Sequence, residues 1–235
     1  EVIKYDKEIG GRYSIWSPVS QFYLFEDDFI KFAEGGNQAD IDIQENKKYL
    51  EFVKKLSYRD IYLNDKGINS RAIFSYIWNL RSLPNYFQQL EMESLGKPIN
   101  PKSRFKKTGQ IIYGGYGPRA QHSYFQLLHQ GTQKICADII ACSQNKDSLA
   151  YRQAIVQSKL LSSGAEDLKK EEKINGNVPV NLFILKSLDP YSLGYLIATW
   201  EYRTYISSIM MQINAFDQIG VHAGKHFTRE FLKNN

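Results

Sequence analysis

Apolar positions along this chain repeat with two different periods. Between residues 17 and 33, Phe22, Phe25, Phe29 and Phe32 recur at steps of three and four. With Ser17-Pro18 as cap and first turn and Gly35-Gly36 as a stop, that spacing predicts a core-facing helix. Residues 37–48 are polar and predict a loop, and 49–63 predict a half-exposed helix. Residues 72–77 form a short, nearly continuous run of apolar, β-branched and aromatic residues, as a strand buried on both faces of a parallel sheet requires. A helix from about Leu83 carries Leu83, Phe87 and Leu90 on its core stripe. Strands are then predicted at 111–113, 135–141 and 182–185, with helices starting near His122 and spanning 148–163. The charged stretch 165–176 should face solvent. Asp189-Pro190 opens a long helix whose core stripe runs through Leu193, Leu196, Ile197 and Trp200 to Ile206, Ile209, Met210 and Ile213. Alternation of strand and helix predicts a layered α/β domain with a mainly parallel sheet flanked by helices. In such folds ligands gather at the carboxyl ends of the strands.

Composition narrows the function without deciding it. The 235 residues are 43% apolar, 14% aromatic and 23% charged, enough to close one sizeable core. A net charge of +5 favours anionic small molecules. The basic run Lys97, Lys102, Arg104, Lys106 and Lys107 lacks interleaved aromatics, so it reads as a solvated hairpin and gives no reason to expect nucleic acid. Cys136 and Cys142 are in neither metal-ligand nor redox spacing, which predicts a reducing, cytoplasmic setting with no disulfide framework and no metal. No run reaches the length of a membrane span. The chain starts at Glu1-Val2-Ile3 without a methionine, and it reads as a piece of something longer.

Several stretches invite chemistry. At 213–225, Asp217-Gln218 and two glycines, Gly220 and Gly224, interrupt an apolar run, and Lys225 follows at the predicted start of a new helix. Backbone amides and a cation would then converge on one spot suited to an oxyanion or a hydroxyl, unless the glycines merely punctuate a turn and Lys225 is a surface charge. Gly10-Gly11-Arg12 lets the backbone turn sharply and present an arginine. Gln89 and Glu93 lie four apart on one helix face, and Glu93 is either an ordinary exposed glutamate or a carboxylate facing a cleft. His122 at the start of a helix suits proton shuttling or simple capping, whereas His129 is placed for packing. Gly114-Gly115-Tyr116-Gly117-Pro118 lacks the Gly-Lys-Ser/Thr ending of a nucleotide-binding loop.

Spelling favours the functional alternatives. Phe216-Asp217-Gln218-Ile219-Gly220-Val221 through Gly224-Lys225 resembles the C-terminal signature of the glucose-6-phosphate isomerase family, and Ile9-Gly10-Gly11-Arg12-Tyr13-Ser14-Ile15-Trp16-Ser17 resembles its other signature. Met92-Glu93-Ser94-Leu95-Gly96-Lys97 and the run from Gln121-His122 to Gly131-Thr132 are similar to two further segments of that family. The resemblance implies an enzyme that interconverts glucose 6-phosphate and fructose 6-phosphate through an enediolate. By matching motif, Glu93 is the base, Arg12 stabilises the enediolate, Lys225 and His122 serve ring opening, and Gln89 and Gln218 hold hydroxyls. It implies no metal or organic cofactor, and a homodimer whose histidine crosses to the other subunit. Residues 17–235 then correspond to the second sugar-isomerase domain and 1–16 to a lead-in from an N-terminal half, which would supply the phosphate-binding loop. Pro118-Arg119 and Val178 depart from the family pattern. They leave a second expectation, a catalytically degenerate sugar-isomerase fold kept as a structural or assembly subunit.

Overall fold

The computed structural model describes residues 6, 9, 11–18, 26–165 and 169–234. Four parallel strands, β1 (Ser70–Ser75), β2 (Ile111–Tyr116), β3 (Ile135–Cys142) and β4 (Val180–Leu185), form one sheet in the order β2-β1-β3-β4. The chain moves outward from β1 to β2 and then crosses back to β3 on the far side of β1. All three strand pairs are parallel. The predicted layered α/β fold is therefore present.

Alternation along the strands feeds two cores. Ile73, Ile112 and Ile140 face helices α1 (Glu26–Glu45), α3 (Leu83–Leu95) and α7 (Pro190–Met211), where they pack with Phe32, Phe87, Leu196 and Trp200. Ala72, Phe74, Ala137 and Ile139 face the other way, onto Phe125 and Leu128 of α5 (Phe125–Gln130) and Ala154 and Leu161 of α6 (Leu149–Ser163). Between α1 and β1 runs α2 (Lys47–Asp65), opened by the Asn46 side chain accepting from the Tyr49 amide. Asp189 caps α7 in the same way through the Ser192 amide, at 2.7 Å.

Two sequence expectations fail here for one reason. Gly35 and Gly36 do not stop a helix; they lie inside α1, which continues to Glu45 through the residues expected to form a loop. A Cβ at Gly35 would sit 2.0 Å from the Tyr191 carbonyl oxygen, and one at Gly194 would sit 2.0 Å from that of Phe32. The glycines are where α1 and α7 cross almost backbone to backbone, and Gly36 meets the Trp16 ring in the same way. Packing outweighs the roughly 1 kcal/mol that glycine costs a helix. Phe22 and Phe25 of the predicted stripe lie outside the described residues.

The second half of α7 also departs from its predicted stripe. Ile209 is 55% exposed, while Arg203, Thr204, Ser207 and Ser208 are buried. Arg203 joins a charged cluster inside the core. Arg71 of β1 reaches Asp60 of α2 at 2.6 Å, Asp138 of β3 at 3.2 Å and Glu91 of α3, and Arg203 meets Asp60 at 2.6 Å and Asp138 at 2.8 Å. Trp200 donates to Glu91 at 2.5 Å and Asn181 to Asp138 at 2.7 Å. Burial alone would raise the Asp138 pKa, but the guanidinium groups of Arg203 and Arg71 outweigh it and hold that carboxyl below its ordinary value.

Candidate functional site

Gly11–Trp16 is a six-residue 3-10 turn that packs Arg12 against the C-terminal half of α3. Gly11 has φ +59°, and a Cβ there would lie 3.4 Å from Gln218 Nε2, so this glycine serves both the turn and the approach to Gln218. Arg12 is only 2% exposed and uses every arm of its guanidinium. Nε donates to Ser94 Oγ at 2.7 Å and Nη1 to Glu93 Oε2 at 3.2 Å, while Nη2 donates to the carbonyls of Ala215 and, at 3.3 Å, Asp217. Tyr13 shares Ser94 Oγ at 3.0 Å.

A second cation reaches the same turn. Lys97 Nζ lies 2.9 Å from Asp217 Oδ1 and also donates to the Asp217 carbonyl. Asn100 donates to the carbonyl of Gln212, whose left-handed φ of +58° ends α7. These bonds fix residues 212–218 against the end of α3. Between them opens a cavity of about 920 Å³, with Glu93 and Lys97 on one wall and Asp217, Gln218 and Gly220 on the other.

Of the residues singled out from sequence, the structure brings Arg12, Glu93 and Gln218 together. Gln89 is exposed on α3, one turn before Glu93. Lys225 is not at a helix start. Gly220 and Gly224 lie inside α8 (Ile219–Asn234), and Lys225 is exposed on that helix beyond them. The groups that converge at the 215–218 turn are carbonyls accepting from Arg12 and Lys97, the reverse of the expected amides and Lys225. A glycine-flanked turn looks the same in sequence whichever backbone group faces inward. Lys97, read as part of a solvated hairpin, has only 12% of its side chain exposed.

His122 stands elsewhere. It is exposed in the turn between α4 (Gly117–Ala120) and α5, not at the start of a helix, and that turn follows the carboxyl end of β2. Helix α3, by contrast, leaves the carboxyl end of β1 and runs back, so that Met92 and Gly96 line a cleft with Asn69 and Ile111 at the amino ends of β1 and β2. Glu93 and Gln218 therefore gather at the amino edge of the sheet, against the expectation that all the site residues share its carboxyl edge. A six-residue strand separates the two edges by about 20 Å. Arg119 is exposed in a separate cavity with Trp78, Arg81 and Gly115, and it does not line the Glu93 cavity. His129 packs as expected, against Phe125 and Gln157.

Behind the Arg12 turn, sequence reading missed Glu201 of α7. Its carboxylate accepts from Trp16 Nε1 at 2.7 Å and lies 3.0 Å from the Tyr86 hydroxyl. Burial pushes its pKa up to about 7, against the pull of the bonds from Trp16 and Tyr86. The available signal was a lone glutamate within an apolar helix. Among the described residues, no group of three or more His, Cys, Asp or Glu side chains gathers as metal ligands, and no helix is long and apolar enough to cross a membrane.

A four-stranded parallel sheet between helices, with a loop-held arginine beside a glutamate, makes this a domain of the sugar-isomerase (SIS) type. Comparison with known proteins agrees and goes further. The chain belongs to the phosphoglucose isomerase family, whose sequence model matches residues 1–235. It is 34% identical to a glucose-6-phosphate isomerase of Shewanella frigidimarina, covering 96% of this chain and 47% of that protein. To one of Acinetobacter baumannii it is 33% identical, over 95% of this chain and 46% of the other. The crystal structure of a glucose-6-phosphate isomerase from Chlamydia trachomatis superposes with a TM-score of 0.81 at 27% identity, covering 95% of this chain and 47% of that one. The chain spans about half the length of the curated relatives it matches.

Proposed function

We propose that this chain is the C-terminal half of a cytoplasmic enzyme that interconverts glucose 6-phosphate and fructose 6-phosphate. One observation carries the reading: Arg12 lies 3.2 Å behind Glu93, and Glu93 lines a cavity that Gln218 faces from the other side. Isomerisation of an open-chain aldose needs a base that takes a proton from C2 and returns it to C1. It also needs fixed positive charge beside the enediolate oxygens formed in between. Glu93 is the base in this scheme. Arg12, held from four directions, is the cation, and it costs no reorganisation when charge develops. Gln218 and, one turn along α3, Gln89 hold sugar hydroxyls.

Ring opening falls to Lys225 and His122. The placement of His122 at the opposite edge of the sheet from Glu93 supports a histidine given by a second copy, in a dimer with shared sites. Residues 17–235 serve as the second sugar-isomerase domain, and 1–16 carry the chain in from an N-terminal half that binds the substrate phosphate. The tight packing of Gly11–Trp16 on α3 makes the end of that lead-in part of the site. The test is a coupled assay on the full-length protein with fructose 6-phosphate as substrate. Conversion is expected. A folded full-length protein that converts none of it would leave the structural-subunit reading in its place.

A further inference from the structure

Tyr86 of α3 has one hydroxyl hydrogen and two acceptors competing for it. Its oxygen lies 3.0 Å from the backbone carbonyl of Arg12 and 3.0 Å from Glu201 Oε1. The other oxygen of Glu201 accepts from Trp16 Nε1 at 2.7 Å. Glu201 and Tyr86 thus grip the Gly11–Trp16 turn at both ends, by the carbonyl of Arg12 and by the indole of Trp16. With Glu201 ionised, the better acceptor takes the Tyr86 hydrogen and the Arg12 carbonyl is left without it. With a hydrogen on Oε1, both contacts are satisfied at once.

We propose that Glu201 is a positioning residue for Arg12: protonated, it donates to the Tyr86 oxygen, and Tyr86 then donates to the Arg12 carbonyl, fixing the turn that carries the guanidinium. The inference rests on the proposed role of Arg12 in the chemistry. The surroundings of Glu201 suit a neutral acid. Its cavity of about 380 Å³ is walled by Tyr13 and Trp16 from the turn, Asp40 from α1, Tyr202 and Tyr205 from α7 and Phe216 from the following loop, and among the described residues no lysine or arginine lines it. Burial pushes the Glu201 pKa up to about 7, and the Asp40 carboxylate adds to the opposition to ionising Glu201. The Tyr86 hydroxyl is pushed upward as well, by burial and by Glu201, so it remains a donor. The Arg12 guanidinium is directed away, toward Ser94, Glu93 and the 215–217 carbonyls.

Glu201→Gln mimics the protonated form, since its amide donates to Tyr86 while its oxygen accepts from Trp16. In the full-length protein, the ratio of E201Q to wild-type kcat is expected near one below pH 6 and higher by about fivefold above pH 8, with KM little changed. Taking the ratio cancels ionisations that both proteins share. Tyr86→Phe, which cuts the chain, should lower kcat about tenfold at every pH while Tm shows the protein folded. A second readout does not depend on turnover. The indole N–H resonance of Trp16, assigned by its loss in Trp16→Phe, should titrate with a midpoint near 7 in the wild type and stay fixed in E201Q. A ratio flat with pH, a Tyr86→Phe protein with wild-type kcat, or a Trp16 signal that does not titrate would each overturn the inference. Absence of any isomerase activity would sink the proposed function instead and leave the resonance to decide this one.

Discussion

Among the described residues, two sites bring a buried arginine against carboxylate, and helix α3 contributes to both. Glu91 and Glu93 point about 200° apart around its axis. Glu91 enters the sealed cluster of Arg71, Arg203, Asp60 and Asp138, where the side chains of Arg71 and Asp138 are both 0% exposed. Glu93 enters the open one, where it is 26% exposed beside Arg12 and faces a cavity. The chemistry of the two pairs is the same, and access separates them. In the sealed cluster every charge is answered by another and no ligand can enter, so its work is to join α2, α3, α7, β1 and β3. In the open cluster the arginine is saturated by bonds from the protein, while the glutamate keeps part of its surface free for something to approach.

That contrast can be broken from either side. The largest effect is expected for Glu93→Gln in the full-length protein: turnover lower by about 10² to 10⁴-fold, the usual loss with a general base. Tm should barely move in calorimetry, because a partly exposed pair is worth about 0–1 kcal/mol. Unaltered turnover would show that the base has been misassigned. Asp138→Ala should do the opposite. It removes one of the carboxylates that Arg71 and Arg203 share, leaving the two buried guanidinium groups to Asp60 and Glu91, and should cost about 3–5 kcal/mol of stability in urea unfolding. A variant as stable as the wild type would mean that the sealed cluster holds nothing together.

The smallest effect concerns pH. Glu201 has its pKa raised by burial from 4.5 to about 7, so the unfolded chain releases that proton first. Stability should fall by on the order of 3 kcal/mol as pH rises across that window. Asp138 has the reverse sign. Its carboxyl is held below the ordinary 3.8, so its contribution is present above that value and lost as pH falls through the folded-state pKa. Denaturant unfolding from pH 3 to 8 should therefore show stability declining on both sides of a maximum. In Glu201→Gln only the decline toward pH 7 should disappear.

How far the sequence could be read follows from where the deciding contacts lie. The strands were legible because β1 and β3 are buried along nearly their whole length and are spelled by apolar runs. Arg71 and Asp138 inside those runs carried no local sign of their role, since Asp60, Glu91 and Arg203 come from other elements. Gly35 was misread because nothing near it in sequence reveals the Tyr191 carbonyl that demands it. At the candidate site, spelling singled out Arg12, Glu93 and Gln218, and the fold gathers all three. It could not distinguish facing carbonyls from facing amides at 215–218, and it hid Lys97 in a basic run. Nor could it reveal that His122 and Glu93 leave opposite edges of the sheet, because that depends on the direction in which α3 returns.

The separation of those edges makes residues 93 and 122 mechanically strangers. In the proposed dimer with shared sites, a copy with a lesion at one rim would still lend its group at the other rim to its mate. Inheritance would judge the two positions of such a dimer as though they belonged to different molecules.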